Sequence, residues 1–368
     1  MRVLHVDSAR GWRGGQNQVL LTALGQAERG HQVWLACRAG GALEARARSE
    51  GLEVLPLRLG GDLSLRAAGR LRGQLLRLDI DVAQLHDPHA LSAGALARLG
   101  LRRPVLVATR RVDFPLRGAL SRLKYRRCAR VIAVSRAIES VLARDGLGRD
   151  RVRVVHEGVR DRAPLAGAAE ALAELGVPAG CAVVGNVAAL VDHKDHATLL
   201  EAAALVAARR ARVHFVILGE GERRPELEAQ VARLGLGERV RLAGFREDVD
   251  RLLPAFDVFC LSSHMEGLGT SVLDAMCFGR PIVATAAGGI PEAVEDGVSG
   301  RLVQPRDPAA LAGALLELLE HPQQARRLGE AARRRYEAGF SADRMVERTL
   351  AVLEEALGGM PAQAASSS

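Results

Sequence analysis

The residues best suited to chemistry lie in one run of the second half, Glu266-Gly-Leu-Gly-Thr-Ser-Val-Leu-Asp274-Ala-Met276. Gly267 and Gly269 let a backbone pass close to a ligand, because neither carries a Cβ. The apolar stretch before the run reads as a strand ending near Leu261, and the residues from Thr270 to Phe278 read as a helix. The first N–H groups of a helix have no partner within it and sit at the positive end of its dipole. The amides of Gly269, Thr270 and Ser271, with Leu268 leading into them, therefore form an anion site suited to a diphosphate. Glu266, just outside the helix, can accept hydrogen bonds from sugar hydroxyls, and Asp274, one turn in, can reach a second hydroxyl pair. An ordinary strand–turn–helix with solvated acids has the same spacing.

The elements that must hold these residues alternate along the chain. Arg2–Val6 reads as a buried strand, Gly11–Gly15 as a glycine-rich turn, and Gln16–Glu28 as a helix with Val19, Leu20, Ala23, Leu24 and Ala27 on one face. Further strands are expected at His31–Ala36, Val54–Leu57, Val82–Leu85, Val105–Ala108, Val131–Val134 and Val152–Val155. The pattern pauses over Asp161–Gly180, rich in Ala, Gly and Pro. It resumes with strands at Ala182–Val187, Val213–Leu218, Val240–Leu242, Val258–Leu261 and Pro281–Ala284, and helices at His196–Arg209 and Arg224–Leu234. Such alternation predicts an α/β protein with parallel, doubly wound sheets. Two Rossmann-like domains facing across a cleft are expected, over residues 1–165 and 166–340. A C-terminal helix over about 341–357 would return to the first domain, followed by a disordered tail over 358–368.

Composition narrows the class. At 368 residues with 48% hydrophobic side chains, the chain can fill two cores, and with 3% aromatics those cores must be built of Leu, Val and Ala. The five cysteines form no CxxC pair, which points to a reducing, cytoplasmic compartment without zinc or disulfide frameworks. No signal peptide or membrane span is read from the pattern. Residues 1–162 carry 30 Lys and Arg against 15 Asp and Glu, whereas residues 163–368 carry 21 against 28. The basic half is therefore expected to meet something anionic. Only two of the chain's 51 Lys and Arg residues are lysines, Lys124 and Lys194.

The stretch from Glu266 to Val303, with Gly279-Arg-Pro-Ile-Val-Ala-Thr285, Gly288-Gly-Ile-Pro-Glu292 and Asp296-Gly-Val-Ser-Gly300, closely resembles the signature of glycosyltransferase family 4. Val131-Ile-Ala-Val-Ser135, Val154–Val159, Leu218-Gly-Glu-Gly221 and Gly244-Phe245 extend the resemblance over nearly the whole chain. It implies the GT-B fold and a retaining transfer from a nucleotide-diphosphate sugar. In that pattern Glu266 would contact the donor sugar, Asp274 the ribose, Gly269–Ser271 the phosphates, and Lys194 the diphosphate. Phe245 and Arg246 would lie near the base, and Gly14 and Gly15 would line the cleft from the first domain. The acceptor would be a glycan or a lipid-linked molecule.

The chain departs from the family pattern in three places. Asp274 is one methylene shorter than the usual Glu. Ala189 stands where an arginine usually precedes the lysine. Where a histidine is common after the strand ending near Thr109, the chain has Thr109-Arg-Arg-Val-Asp113, so Arg110 or Arg111 would supply a cation there; His86 and His89, beside Asp87, are weaker candidates. With no DxD beside a strand, neither metal nor cofactor is expected. Residues 116–130 read as a basic, partly apolar helix suited to an anionic membrane surface or simply to solvent, which would put the protein at the inner face of the cytoplasmic membrane. Three rival readings remain. Nucleic-acid binding has charge but no stacking-aromatic module, a nicotinamide enzyme lacks the GxGxxG spacing, and a non-catalytic sugar-nucleotide sensor is the third.

Overall fold

The computed structural model describes residues 1–57, 65–116 and 118–359; Arg117 and the tail from residue 360 lie outside them. The chain folds as two units, Met1–Glu157 with Ala342 onward, and Gly158–Ser341. The boundary thus falls between Glu157 and Gly158 rather than at residue 165.

The first unit holds a seven-stranded sheet of β1 (Arg2–Asp7), β2 (Gln32–Arg38), β3 (Glu53–Leu57), β4 (Val82–Leu85), β5 (Val105–Arg110), β6 (Arg130–Ala133) and β7 (Val152–Val154). Their order is β3-β2-β1-β4-β5-β6-β7, and every pair is parallel. The second unit holds β8 (Ala182–Val187), β9 (Val213–Leu218), β10 (Val240–Leu242), β11 (Val258–Leu261), β12 (Ile282–Thr285) and β13 (Arg301–Val303). Their order, β10-β9-β8-β11-β12-β13, is again all parallel. Both sheets thus wind outward from a first central strand, the doubly wound order in which ligands bind at the carboxyl ends where the winding reverses. β8 to β11 coincide with the predicted strands. β13 was not predicted, because three residues opening on an arginine carry too little apolar pattern. A short helix, Ala168–Glu174, occupies the predicted pause.

Gly14 and Gly15 are a correction to the expected turn: they form the first turn of the helix Gly14–Glu28. The other face of this helix explains why the C-terminal helix, Ala342–Gly358, belongs to the first unit. A Cβ on Gly25 would stand 2.6 Å from Val346 Cγ2, so the missing side chain lets the two helices close together. Leu21, Val346, Leu350 and Leu353 then bury one continuous apolar cluster with Val3, Val82 and Val105. In the second unit a larger cluster, Leu199, Val213, Phe215, Leu311 and Leu315 among its members, fixes the sheet against its flanking helices. The rigidity of these cores is what positions the strand-end loops.

Candidate functional site

In the second unit the chain leaves β8 through residues 188–191 and tightens into a 3-10 turn, Asp192–Lys194. The loop is held by its neighbour: Leu190 N–H donates to Glu220 C=O at 2.9 Å and Arg223 N–H to Leu190 C=O at 3.0 Å. The turn is held from β11. Ser262 Oγ donates to Lys194 C=O at 3.0 Å, and His264 N–H donates to His193 C=O at 3.0 Å. Asp195 then caps the helix His196–Arg209, accepting from Thr198 Oγ1 at 2.7 Å. The outcome is one short cation stalk: the Lys194 ammonium forms an ion pair with Glu266 Oε2. Their side chains retain only 17% and 13% of their exposure, so neither charge is free in solvent. Ser263 Oγ also donates to Glu266 Oε2, at 3.2 Å.

Glu266 owes its place to the loop after β12. A Cβ on Gly288 would stand 1.7 Å from the Glu266 carbonyl oxygen, and Gly288 is at φ +51°, so no other residue fits there without moving Glu266. Gly289 N–H donates to that carbonyl at 3.3 Å. Four residues after Glu266, the helix Thr270–Cys277 starts from Gly269 at φ +87°. Gly267 and Leu268 are buried on the way, so Leu268 offers a ligand only its backbone. Val272 N–H turns back to Gly269 C=O at 2.9 Å. Among the described residues, the Thr270 and Ser271 amides have no backbone acceptor. A lysine, a carboxylate and unpaired helix N–H groups therefore converge on the carboxyl ends of β8 and β11.

The remaining predicted residues of this unit divide. Phe245 follows β10 with 56% of its surface exposed, whereas the Arg246 guanidinium grips Asp248 through two 2.7 Å contacts. Asp274 is not open: it pairs with Arg162, which also holds Asp250 at 2.6 Å. Burial pushes the Asp274 carboxyl above the usual carboxylate range, and Arg162 pulls against that shift. Arg162 went unnoticed in sequence because it lies 112 positions from Asp274, outside any motif.

The first unit holds its own cation. Gly15 lies against Arg111, a Cβ there being 3.6 Å from Arg111 Cδ. Arg111 Nε donates to Glu157 Oε1 at 2.9 Å, both side chains being largely buried, and Nη1 meets His86 Nδ1 at 3.0 Å. Since a guanidinium only donates, His86 accepts on Nδ1 and carries its proton on Nε2. That proton is donated to His5 Nδ1 at 2.9 Å, and His5 Nε2 in turn donates to Gln26 Oε1 at 2.9 Å. Arg111 thus ends a one-way chain of neutral groups. Burial lowers His86 well below the ordinary histidine value and lowers His5 to about 4, with the Arg111 charge reinforcing both shifts. Of the two candidate arginines, Arg110 is turned inward, donating to Tyr125 Oη at 3.2 Å. Asp87 caps the helix Pro88–Ala97 and accepts from Ser8 Oγ at 2.6 Å; His89 is exposed beside it. Glu157 lies in the Val154–Val159 segment of the resemblance, but the sequence assigns it no role.

The basic segment forms the helix Gly118–Arg126, shorter than the predicted 116–130. Leu120 and Leu123 are exposed, as is Phe114 just before it, whereas Tyr125 is buried and Lys124 Nζ donates to Ser92 Oγ at 2.6 Å. Among the described residues, no helix is long and apolar enough to cross a membrane, and no cluster of three or more His, Cys, Asp or Glu could hold a metal ion.

Comparison with known proteins agrees with this layout. Residues 169–335 match the family model described as glycosyl transferases group 1, and residues 12–162 match that of glycosyltransferase family 4. The chain is 33% identical over 181 residues to the lipopolysaccharide core biosynthesis glycosyltransferase LpsE of Rhizobium meliloti (strain 1021), covering 49% of this chain and 52% of that one. It thus spans about half of that relative. It is 28% identical over 299 residues to the 2-deoxystreptamine glucosyltransferase of Streptomyces kanamyceticus, covering 79% and 74%. Among solved structures, Anabaena Alr3699/HepE in complex with UDP and glucose superposes with a TM-score of 0.84 at 23% identity, covering 96% of this chain and 99% of that one. A glycosyltransferase from Rickettsia africae ESF-5 superposes with a TM-score of 0.87 at 19% identity, covering 98% and 99%. These two likenesses establish the fold.

Proposed function

The chain belongs to the group 1, family 4 glycosyltransferases of GT-B fold, and we propose that it moves a sugar from a nucleotide-diphosphate donor, with retention and without a metal, to a glycan or lipid-linked acceptor. The observation that carries the proposal is the Lys194–Glu266 pair beside the open amino end of the helix Thr270–Cys277. A departing nucleoside diphosphate gains negative charge as the bond between its phosphate oxygen and sugar C1 breaks. A lysine and two helix N–H groups answer that charge directly, and such preorganised donors are each worth roughly 2–4 kcal/mol in a closed site. Glu266 accepts from sugar hydroxyls once the donor phosphate competes for Lys194.

Retention follows if the acceptor oxygen attacks C1 on the face the phosphate leaves. Its proton then passes to the departing phosphate oxygen, and no protein nucleophile is required. Phe245 offers an exposed ring to the base, while Arg246, tied to Asp248, contributes through its backbone. Asp274 reaches the ribose only if Arg162 releases it, so the ribose contact in this reading runs through Arg162 or a water. The same pairing favours the second reading, a non-catalytic sugar-nucleotide sensor. In the first unit Arg111 serves an anionic acceptor, and exposed Phe114, Leu120 and Leu123 among arginines serve an anionic membrane face from the cytoplasmic side.

A panel of UDP-, GDP-, ADP- and TDP-sugars tests the donor, because a ligand that binds only the native state raises the melting temperature. One member is expected to do so and to release its nucleoside diphosphate on incubation. Stabilisation without release identifies a sensor, and no stabilisation by any member refutes the donor assignment.

A further inference from the structure

A concavity lies at the other end of the sheet in the second unit, away from Lys194 and Glu266. Lys194 and Glu266 follow the carboxyl ends of β8 and β11, whereas this cavity, about 1280 Å³ in volume, is lined by Ala182, Asp257 and Pro281 at or just before the amino ends of β8, β11 and β12. Its wall includes six arginines, Arg162, Arg210, Arg280, Arg326, Arg333 and Arg334, against three acids. Two of the arginines are already neutralised: Arg162 by Asp250 and Asp274, and Arg333 by Asp161 and Glu337.

The other four have no carboxylate partner among the described residues. Arg280 is bound only to carbonyls, Phe278 C=O at 3.2 Å and Pro254 C=O at 3.0 Å, and burial lowers its pKa despite Asp257 nearby. Arg210 donates to Leu319 C=O at 3.2 Å. Arg326 and Arg334 stand exposed on the helix Pro322–Gly339. Of the acids, Asp161 is held by Arg333 and Asp257 accepts the Val183 N–H at 2.7 Å. Glu330 lies between Arg326 and Arg334 in sequence without an ion pair to either. Carbonyls at helix ends suffice to explain why Arg210 and Arg280 are tolerated. They also fix the two guanidinium groups at the wall and leave N–H donors unused, an arrangement matched by phosphate oxygens.

We infer that this cavity is a binding site, distinct from the donor site, for a compact, multiply charged phosphate ester. Calorimetric titration of the full chain with sodium tripolyphosphate at constant ionic strength tests it. Saturable binding is expected, weakened roughly tenfold or more in Arg326→Gln/Arg334→Gln, since one lost charge-assisted hydrogen bond alone is worth that much. Both side chains are exposed and unpaired, so the variant keeps its fold, and an unchanged melting temperature verifies it. Lys194→Ala should bind tripolyphosphate as wild type does, which separates this site from the proposed donor site. Displacement by phosphatidylglycerol vesicles would assign the phosphate to a lipid headgroup, and persistence in their presence to a soluble ester. No saturable binding, equal affinity in the double variant, or loss of binding in Lys194→Ala would overturn the inference.

Discussion

Each unit presents a cation near the carboxyl ends of its strands, and the two are held by opposite means. Lys194 is held at its ammonium by the single carboxylate of Glu266, on a loop braced by Ser262, Ser263 and Gly288. Arg111 is held at one edge by Glu157 and at another by the chain His86–His5–Gln26, whose members are neutral. A ligand phosphate can compete with Glu266 for Lys194, because both offer the same charge-assisted contact. No anion can readily detach Arg111, since that would orphan buried groups along the whole chain. In the proposed reading, one cation is exchanged onto the donor and the other stays where it is.

The largest effect should come from breaking the exchangeable pair. Glu266→Ala is expected to lower turnover by about 10²–10³-fold with little change in donor affinity, read by initial rates; equal turnover would remove Glu266 from the chemistry. Gly288→Ala should act on the same pair from beneath. Its Cβ collides with the Glu266 carbonyl, costing about 1–3 kcal/mol of stability in denaturant titration and lowering turnover together with it. A stable, fully active Gly288→Ala would show that the loop does not set Glu266.

Two buried histidines make a pH prediction, His5 of the neutral chain and, in the second unit, His196, whose Nε2 lies 3.2 Å from Asn186 Oδ1. Unfolded histidines bind protons near pH 6.5, but in the native state His5 and His196 do so only near pH 4. Protons are then taken up by the unfolded state first, so stability present above pH 6.5 is lost as pH falls toward 4. Each group contributes about 1.4 kcal/mol per pH unit within that window. Denaturant midpoints at pH 7 and pH 5 check this, and His5→Gln should flatten the slope; an unchanged slope would contradict the neutral state of the buried His5. His86→Phe, which removes the acceptor for Arg111, should leave donor affinity alone and raise the acceptor KM about tenfold. The smallest effect is expected at Arg246→Ala, whose solvent-facing pairing with Asp248 is worth less than about 1 kcal/mol in donor affinity by calorimetry.

The sheets were legible because parallel strands buried on both faces read as continuous Val, Ile and Leu runs, as at Val213–Leu218 and Val258–Leu261. The pairing of Lys194 with Glu266 was legible only as two motifs, 72 residues apart, whose meeting depends on β8 and β11 being neighbours. No role could be read for Arg162 or for Glu157, although Glu157 lies within the Val154–Val159 segment of the resemblance, since each acts through a partner brought in by topology. Gly14 and Gly15 were misplaced into a turn because consecutive glycines disfavour a helix, and the packing of that helix on its neighbours outweighs the cost. Of the tail predicted over 358–368, Gly358 closes the C-terminal helix, and the residues from 360 on lie outside the described residues.

Lys194→Gln provides the most direct test, because it removes the charge while leaving a side chain that can still donate an N–H near Glu266. Sugar transfer from the donor selected by the panel should fall by about 10²-fold or more with the melting temperature unchanged. Transfer at the wild-type rate would contradict the claim that this lysine and the amino end of the helix Thr270–Cys277 together stabilise a departing diphosphate.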